Sequence, residues 1–297
     1  MITSGRRFLA CLAVAGFLAP AWADAPAPIV AHPALWTVHG KTATIYLLGS
    51  LHLLPPNVTW HTREIDTAMA ASDTYLFEAP TDQGGQEAVR AFIAAHGLLP
   101  KGETLSHTLP PAVMDDYNYA VAKSHVPPEA LEDKQPWVAA LILQVGIMMQ
   151  EHYDPTEGID KQVFAYASGH ARNVRYFETV EQQLALLAPA DNELALKEFG
   201  VTLHEIRTEP DTIGPLIDAW SRADEDALDR LMNSDLAQDP AAHAALLDNR
   251  NKAWIGKIET MLGEKHVFFV TVGAAHLAGP GGVPALLRAK GYKVDGP

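Results

Sequence analysis

The sequence contains a single cysteine, Cys11, in 297 residues. This cysteine lies in an N-terminal apolar stretch that we expect to be removed from the mature protein. A mature chain without a thiol can form neither a disulfide framework nor a thiol nucleophile, and it cannot ligate zinc or an iron–sulfur cluster through cysteine. Any metal ion that the protein binds must therefore sit on His, Asp and Glu side chains.

Positive charge is also scarce. The chain has 22 Lys and Arg residues against 36 Asp and Glu residues, and its formal net charge is -14. Because phosphate neutralisation needs clustered Lys and Arg, and no such cluster is present, we exclude a nucleic-acid partner. Apolar residues make up 48% of the chain and charged residues 20%. This composition is typical of a soluble globular protein and too apolar for a disordered one.

Several catalytic signatures are missing. The segment Gly40-Lys41-Thr42 lacks the earlier glycine of a phosphate loop, and His204-Glu205 lacks the second histidine of a zincin helix. No serine lies in a Gly-x-Ser-x-Gly nucleophile elbow. Nucleotide cofactors and serine hydrolysis therefore have no support in the sequence.

The first 23 residues have the features of a cleavable signal peptide. Arg6 and Arg7 precede an apolar run, Phe8–Leu18, and a small-x-small site follows at Ala21–Ala23. We predict cleavage after residue 23, which would place the mature protein in the periplasm or outside the cell. General secretion and twin-arginine export both remain open. An uncleaved anchor is the alternative, but a membrane span needs about 20 apolar residues, roughly twice the length of this run.

The mature chain has the pattern of one α/β domain over residues 35–297, preceded by a flexible leader at 24–34. We predict a central mixed, mostly parallel sheet flanked by helices, with a helical insertion at about 85–170. β-Branched and aromatic runs predict strands near 35–38, 44–48, 73–77, 174–177, 267–272 and 292–294. The segment Trp137–Met149 is apolar almost all round but too short to cross a bilayer. We predict that it is a buried helix or a lid over a hydrophobic cleft, and that the mature chain has no transmembrane span.

Two copies of a short motif point to a functional site at the edge of the sheet. Gly-x-x-His follows a hydrophobic strand at Gly49–His52 and again at Gly273–His276. A glycine lets the backbone turn sharply where the strand ends, and the histidine is then presented at the carboxyl edge of the sheet, where α/β proteins place ligands. A third copy, Gly263–His266, follows a helix end and looks like a cap. Both strand histidines could instead be core residues satisfied by backbone groups.

Two glutamates stand at the ends of other predicted strands, Glu78 after residues 74–77 and Glu178 after residues 174–177. If these strands are parallel neighbours, the carboxylates and the two histidines gather along one edge of the sheet. Two imidazoles and a carboxylate suit a divalent first-row metal, whose bound water is acidic enough to act as a nucleophile. A second carboxylate could take the proton of that water. A helix N-terminal charge or a salt bridge is the alternative for each glutamate.

Arg250 and Asn251 lie on a predicted helix whose apolar residues recur at helical spacing. An arginine on such a helix usually belongs to a solvated or salt-bridged face. The alternative is that its charge stabilises an oxyanion.

In combination, these features resemble the TraB/GumN family, whose eukaryotic relatives include the Tiki-type metalloproteases. The resemblance runs from about residue 35 to residue 294 and rests on the segments Tyr46–His52, Leu76–Glu78, Gly158–Asp160, Glu178–Gln182, Arg250–Trp254 and Val272–Leu277. It implies a fold shared with erythromycin esterase-like and ChaN-like haem-binding proteins. It also implies an active site of His52, Glu78 and His276, with Gly49 and Gly273 in the motifs and a pocket lined by Glu178, Arg250, Asn251 and Asp160.

We therefore expect an exported, divalent-metal-dependent hydrolase that acts on a peptide or protein substrate. His52, His276 and Glu78 would hold a manganese, cobalt or zinc ion, or the water that the ion activates. A non-catalytic haem or metal binder that uses the same histidines is the alternative. A third possibility is an interaction protein that has lost its chemistry.

Overall fold

The fold is built around a six-stranded sheet. The computed structural model describes residues 27–189, 191–209, 213–233, 236 and 239–297. In these residues the strands are β1 Ile29–Val30, β2 Leu35–His39, β3 Thr44–Ser50, β4 Val58–Thr59, β5 Thr74–Phe77, β6 Asn173–Tyr176, β7 Val267–Gly273 and β8 Lys293–Asp295. The main sheet has the order β6-β5-β7-β3-β2-β8. Strands β6, β5, β7 and β3 are parallel, and β2 is antiparallel to β3 and β8. The predicted fold class is confirmed.

The two central strands, β3 and β7, are buried on both faces. Alternate residues of β7 enter two separate apolar clusters, with Phe269 packed beside residues of the helix at 63–71, and Phe268 and Val270 packed beside residues of the helix at 249–261. This alternation follows from the two-residue repeat of a strand. Near-continuous apolar runs of this kind are typical of parallel strands that helices cover on both sides.

Helices make up most of the remaining structure. In the described residues they are α1 Arg63–Ala71, α2 Gln83–His96, α3 Leu105–Thr108, α4 Met114–Ser124, α5 Pro136–Gln150, α6 Ile159–Gly169, α7 Val180–Leu187, α8 Asn192–Thr208, α9 Gly214–Ser221, α10 Glu225–Met232, α11 Pro240–His243, α12 Asn249–Met261 and α13 Val283–Ala289. Helices α2 to α6 lie between β5 and β6 in the chain, which is the interval of the predicted helical insertion.

Helix α5 contains the apolar segment predicted at 137–149. Proline at the first helical position, Pro136, suits a helix start because its missing N–H would have no partner there. Trp137, Leu141 and Val145 are buried in a cluster that also contains Leu184 of α7. The prediction of a buried helix is confirmed. No helix in the described ranges has the length and apolarity that crossing a membrane requires.

The described part of the predicted leader differs from the expectation of a loose segment. Ile29 and Val30 form β1, which pairs in parallel with β4. Ala31 is buried, and the backbone N–H of His32 donates a hydrogen bond to the carbonyl of Ser221. These contacts attach the chain to the rest of the fold from residue 29 onward. The predicted signal peptide, residues 1–23, lies outside the described residues.

Candidate active site

The two Gly-x-x-His motifs lie side by side. Strands β3 and β7 are adjacent and parallel, with Gly49 paired to Val272 and Ser50 paired to Gly273. The strands therefore end level with each other at one edge of the sheet. His276 follows β7 within a short helical turn, Ala274–His276, and His52 follows β3 two residues after its end. We call residues 49–52 the β3 corner and residues 273–276 the β7 corner.

Three predicted site residues converge next to Gly273. A Cβ atom placed on Gly273 would lie 3.2 Å from Glu78 Oε1, 3.7 Å from His276 Cδ2 and 4.0 Å from His52 Nε2. Glu78 Oε1 also accepts the backbone N–H of Gly273 at 2.6 Å and lies 3.9 Å from His276 Nε2. Any side chain at position 273 would fill the space that these three groups share, which is the physical reason for a glycine there.

Gly49 has a different role. A Cβ atom on Gly49 would lie 3.1 Å from Cα and 3.2 Å from Cβ of Ala274, and the Gly49 carbonyl accepts a hydrogen bond from Trp220 Nε1 at 2.8 Å. This glycine lets the two corners pack closely, but it does not face the shared space.

His52 is held by Asp160, at the start of α6. The His52 Nδ1 atom lies 3.0 Å from Asp160 Oδ1, and the same oxygen accepts the hydroxyl of Ser50 at 2.9 Å. Burial opposes ionisation of Asp160, but His52 and the Ser50 hydroxyl more than offset it, so the pKa of this carboxyl is lowered. An ionised carboxylate can only accept hydrogen bonds. The proton of this bond therefore sits on His52 Nδ1, and Nε2 is the atom directed toward the other site residues.

His276 is held by Asn251, on α12. The His276 Nδ1 atom lies 2.6 Å from Asn251 Oδ1, and Asn251 Nδ2 donates to the carbonyl of Gly281 at 2.9 Å. The second bond fixes which end of the amide faces the imidazole, so Nδ1 carries the proton and Nε2 is an acceptor. Nε2 accepts a hydrogen bond from Arg250 Nη1 at 2.9 Å. Burial, together with the Arg250 charge, lowers the pKa of His276 to about 3.

Arg250 connects the remaining charged residues. Its Nε and Nη2 atoms each lie 2.9 Å from an oxygen of Glu178, and Nη2 lies 2.5 Å from Glu78 Oε2. The guanidinium also stacks over the ring of Trp254 at 4.9 Å, and Trp254 Nε1 donates to Glu178 Oε1 at 2.8 Å. For Arg250, Glu178 and Glu78, the salt-bridge alternative is therefore the arrangement observed.

Glu78 is ionised although it is buried. Burial raises its pKa, but the Arg250 guanidinium, the neighbouring histidines and the Gly273 N–H outweigh that effect and lower the pKa to about 2. Gln183, on α7, donates to Glu78 Oε2 at 2.8 Å. The sequence reasoning missed Gln183, because no motif marks it; its only signal is that its helix begins directly after Glu178.

The network has an excess of negative charge. Among the described residues, Glu78 and Glu178 share one guanidinium, that of Arg250, and burial disfavours a positive charge on His276. Charges removed from water require partners of the opposite sign. The site therefore favours an additional cation or a cationic ligand.

One contact opposes metal binding in the arrangement observed. Arg250 donates to the lone pair of His276 Nε2, which is the atom that would bind a metal. Among the described residues, no group of three or more His, Asp and Glu side chains has the arrangement of a metal site. The chemistry of the donors fits a divalent ion, but His276 can join it only after Arg250 leaves its imidazole.

A small cavity lies beside the two histidines. Its volume is about 20 Å³, which is room for about one water molecule. Its wall includes Leu51, Leu53, Ile213 and Met232, so the histidines face an apolar space on this side. A water held there would therefore find its hydrogen-bond partners mainly among the polar atoms of the site.

The third Gly-x-x-His copy lies outside this cluster. Helix α12 ends at Met261, and His266 is bound to Asp73, with 2.9 Å between His266 Nδ1 and Asp73 Oδ1. The His266 side chain is 42% exposed. Its position after a helix, rather than a buried strand, separates it from the other two copies.

The chain is similar in sequence to known proteins over most of its length. A model of the TraB/PrgY/gumN family matches residues 34–296. "Uncharacterized protein YbaP" of Escherichia coli strain K12 is 24% identical over 251 residues, which cover 82% of this chain and 87% of the relative. The protein of the same name from Shigella flexneri matches with the same identity and coverage.

Proposed function

Because the chain belongs to the TraB/PrgY/gumN family, we propose that it is an exported, divalent-metal-dependent hydrolase that cleaves peptide bonds. The convergence of His52, Glu78 and His276 on the space beside Gly273 carries this proposal. Those three residues come from widely separated parts of the chain. Export rests on the signal-peptide pattern of residues 1–23, and the observation that tests it is a mature N-terminus at Asp24 in protein recovered outside the cytoplasm.

The two histidines are oriented by hydrogen bonds at Nδ1, as metal-ligating histidines usually are. Ligating histidines generally donate their second N–H to a carboxylate or carbonyl oxygen, which sets the tautomer and orients the ring. Here Asp160 and Asn251 take that part. His52 and His276 would hold the ion through Nε2, and Glu78 would hold the ion or its water. A divalent ion bound there supplies a water acidic enough to act as a nucleophile near neutral pH.

The other residues of the network position charge. Glu178 holds the guanidinium of Arg250 by accepting hydrogen bonds from its Nε and Nη2 atoms. Arg250 remains charged at any pH of interest, so it can stabilise the oxyanion that forms when water attacks a carbonyl group. Gln183 and the Gly273 N–H hold the carboxylate of Glu78 in place.

A metal-independent hydrolase with the same residues is the second candidate, and the contact between Arg250 and His276 favours it. In this case His52 would take a proton from water at Nε2, and the carboxylate of Asp160 would stabilise the imidazolium that results. Arg250 would keep its place and bind the oxyanion. The two candidates differ in one measurable property, the effect of removing metal.

The test uses purified mature protein, stripped with a chelator and then reloaded separately with manganese, cobalt or zinc. We expect hydrolysis of a peptide library to be lost on stripping and restored by at least one metal, with a matching gain in bound metal by elemental analysis. His52→Ala should abolish hydrolysis, whereas His266→Ala should not, because His266 has the same motif but lies outside the cluster.

Three outcomes would change the assignment. Hydrolysis that survives chelation but not His52→Ala would replace the first candidate with the metal-independent one. Hydrolysis that survives His52→Ala would refute both. A tight haem complex, seen as a Soret absorbance on haem titration without any hydrolysis, would establish the non-catalytic binder instead.

A further inference from the structure

A second and larger cavity lies against the β7 corner. Its volume is about 230 Å³, and its lining includes Asp229, Asn233, His243, Asp248, Asn251 and Ala275. Ala275 also lines the small cavity beside the histidines. Asn251, which holds His276, forms part of the wall of the larger cavity as well. The larger cavity and the small cavity beside the histidines therefore have a wall residue in common at the β7 corner.

The lining of this cavity has an excess of hydrogen-bond acceptors. It contains the carboxylates of Asp229 and Asp248, and none of its described residues is a lysine or an arginine. The lining also contains His243, whose Nδ1 lies 3.4 Å from Asp248 Oδ2. Two carboxylates with one histidine leave the cavity negative when that histidine is neutral. A ligand with hydrogen-bond donors and positive charge complements this lining.

Asn233 gives an independent sign of a missing donor. Its side-chain amide group donates to Asp229 Oδ1 at 2.9 Å and to the Ala275 carbonyl at 3.3 Å, so the amide oxygen is the free end. This oxygen is buried and has no hydrogen-bond partner among the residues that the structure describes, and the residue is only 9% exposed. A buried acceptor without a partner costs free energy, and a shift of the Asn233 side chain toward the cavity would let a bound donor recover it.

The size of the cavity narrows the class of ligand. The small cavity of about 20 Å³ has room for about one water molecule, so a cavity of about 230 Å³ on the same measure has room for a group the size of a side chain rather than a bare ion. A bare divalent ion would also need several oxygens within about 2.5 Å of one point. An organic ammonium or guanidinium meets both the size and the charge of the cavity.

We propose that this cavity is a subsite for a cationic group of the substrate, an ammonium or a guanidinium. The assignment of this group to a substrate rests on the proposed hydrolase function, whereas the binding of the cation does not. In a peptide, such a group is either the α-ammonium of the first residue or the side chain of a lysine or arginine. The cation would lie across Ala275 from the bond that His52 and His276 act on.

The test measures binding by calorimetry to the full mature protein with three small probes. Acetyl-lysine amide carries only a side-chain ammonium, alanine amide carries only an α-ammonium, and acetyl-norleucine amide is a neutral analogue of the first. We expect one of the cationic probes to bind about tenfold or more tightly than the neutral one. The probe that binds identifies whether the cation comes from a side chain or from the peptide N-terminus.

The variant Asp248→Asn should remove this preference, because it deletes a cavity charge with almost no change of shape. The matched control is Asp218→Asn, which deletes the same charge from an exposed pair with Arg222 and should bind the probes as the wild type does. Equal binding of all three probes, binding of none of them, or an unchanged preference in Asp248→Asn would overturn the proposal.

Failure of the subsite and failure of the hydrolase are distinguishable. Protein that binds a cationic probe but hydrolyses no peptide keeps the subsite and loses the proposed function. Protein that hydrolyses neutral and cationic peptides with equal kcat/KM keeps the function and loses the subsite.

Discussion

The β3 corner and the β7 corner share a local sequence pattern but hold their histidines differently. His52 is partly exposed, at 12% of its side chain, and its Nδ1 faces a carboxylate, that of Asp160. His276 is 1% exposed, and its Nδ1 faces an amide, that of Asn251. A carboxylate stabilises a protonated imidazole, whereas a neutral amide in a buried site does much less.

This difference separates the two histidines by chemistry. His52 has the partner of a residue that accepts a proton during a reaction. His276 has the surroundings of a neutral ligand or hydrogen-bond acceptor, since burial holds its pKa at about 3. The Gly-x-x-His motif delivers a histidine to the sheet edge, and the segment packed against it decides what that histidine can do.

The largest effect is expected from removing Arg250, the cation that pairs with Glu78 and Glu178 and donates a hydrogen bond to His276 at the β7 corner. In Arg250→Met, Glu78 and Glu178 lose their shared guanidinium and repel each other. Breaking a buried ion pair by removing one partner costs about 3–5 kcal/mol, and we expect a loss of that size in the free energy of unfolding by urea. A divalent metal ion bound between the two glutamates should restore part of the lost free energy of unfolding.

The control for this prediction is Arg222→Met, which removes an arginine from an exposed pair with Asp218. Exposed pairs contribute about 0–1 kcal/mol. An Arg250→Met protein as stable as the control would show that the buried network is not the source of stability that its contacts indicate.

A second change makes the β3 corner resemble the β7 corner. In Asp160→Asn, His52 faces an amide in place of a carboxylate, and an imidazolium at His52 loses its stabilising charge. We expect hydrolysis to fall about 100-fold or more, within the range for impaired acid–base catalysis, measured as kcat/KM on the best peptide of the library.

Circular dichroism and the urea midpoint provide the control for Asp160→Asn, because Ser50 can still donate to the new amide oxygen. Unchanged kcat/KM in a folded Asp160→Asn protein would mean that the carboxylate at the β3 corner has no part in the reaction.

The smallest effect is expected from a substitution that makes the β7 corner resemble the β3 corner. In Asn251→Asp, a carboxylate replaces the amide beside His276 Nδ1, and we expect the pKa of His276 to rise by about 1–3 units. In the wild type, the unfolded chain binds a proton at His276 near pH 6.5, whereas the folded chain does so only at about pH 3. This histidine therefore lowers the stability of the wild type as the pH falls from about 6.5 to 3.

The measurement is an NMR titration of the His276 ring nitrogens, together with urea midpoints across the same pH range. The wild-type resonances should stay unchanged from pH 8 to about pH 4, and the variant should titrate within that range and lose less stability on acidification. A wild-type His276 that titrates near pH 6.5 would contradict the burial argument.

Much of the sheet could be predicted from the sequence because strand-forming signals are local. The apolar runs near 44–48 and 267–272 correspond to β3 and β7, and the predicted ends of β5 and β6 lie within one residue of those observed. Glu78 and Glu178, which follow β5 and β6, are neighbours, since the backbone N–H of Glu178 donates to the backbone carbonyl of Glu78 at 2.7 Å.

The partners of individual side chains were predicted less completely than the strands. The alternative that both motif histidines are satisfied by backbone groups is wrong, because Asp160, Asn251 and Arg250 are the partners observed. For Arg250 the sequence left a salt bridge and an oxyanion role open, and the structure shows the salt bridge. The leader at 24–34 was predicted to be flexible, but its residues Ile29 and Val30 pair with β4, which a two-residue strand does not reveal by periodicity.

Sequence alone determined which residues arrive at the edge of the sheet: hydrophobic runs form strands, a glycine is the last or next-to-last residue of two of them, and a histidine or glutamate follows. Tertiary structure alone decided what those residues meet. Asp160 reaches His52 across 108 positions of the chain, and Arg250 reaches Glu78 across 172. Such contacts depend on strand order and helix packing, which arise from the burial of the whole core. The protonation and partners of each site residue follow from that burial and cannot be read from the neighbours in the chain.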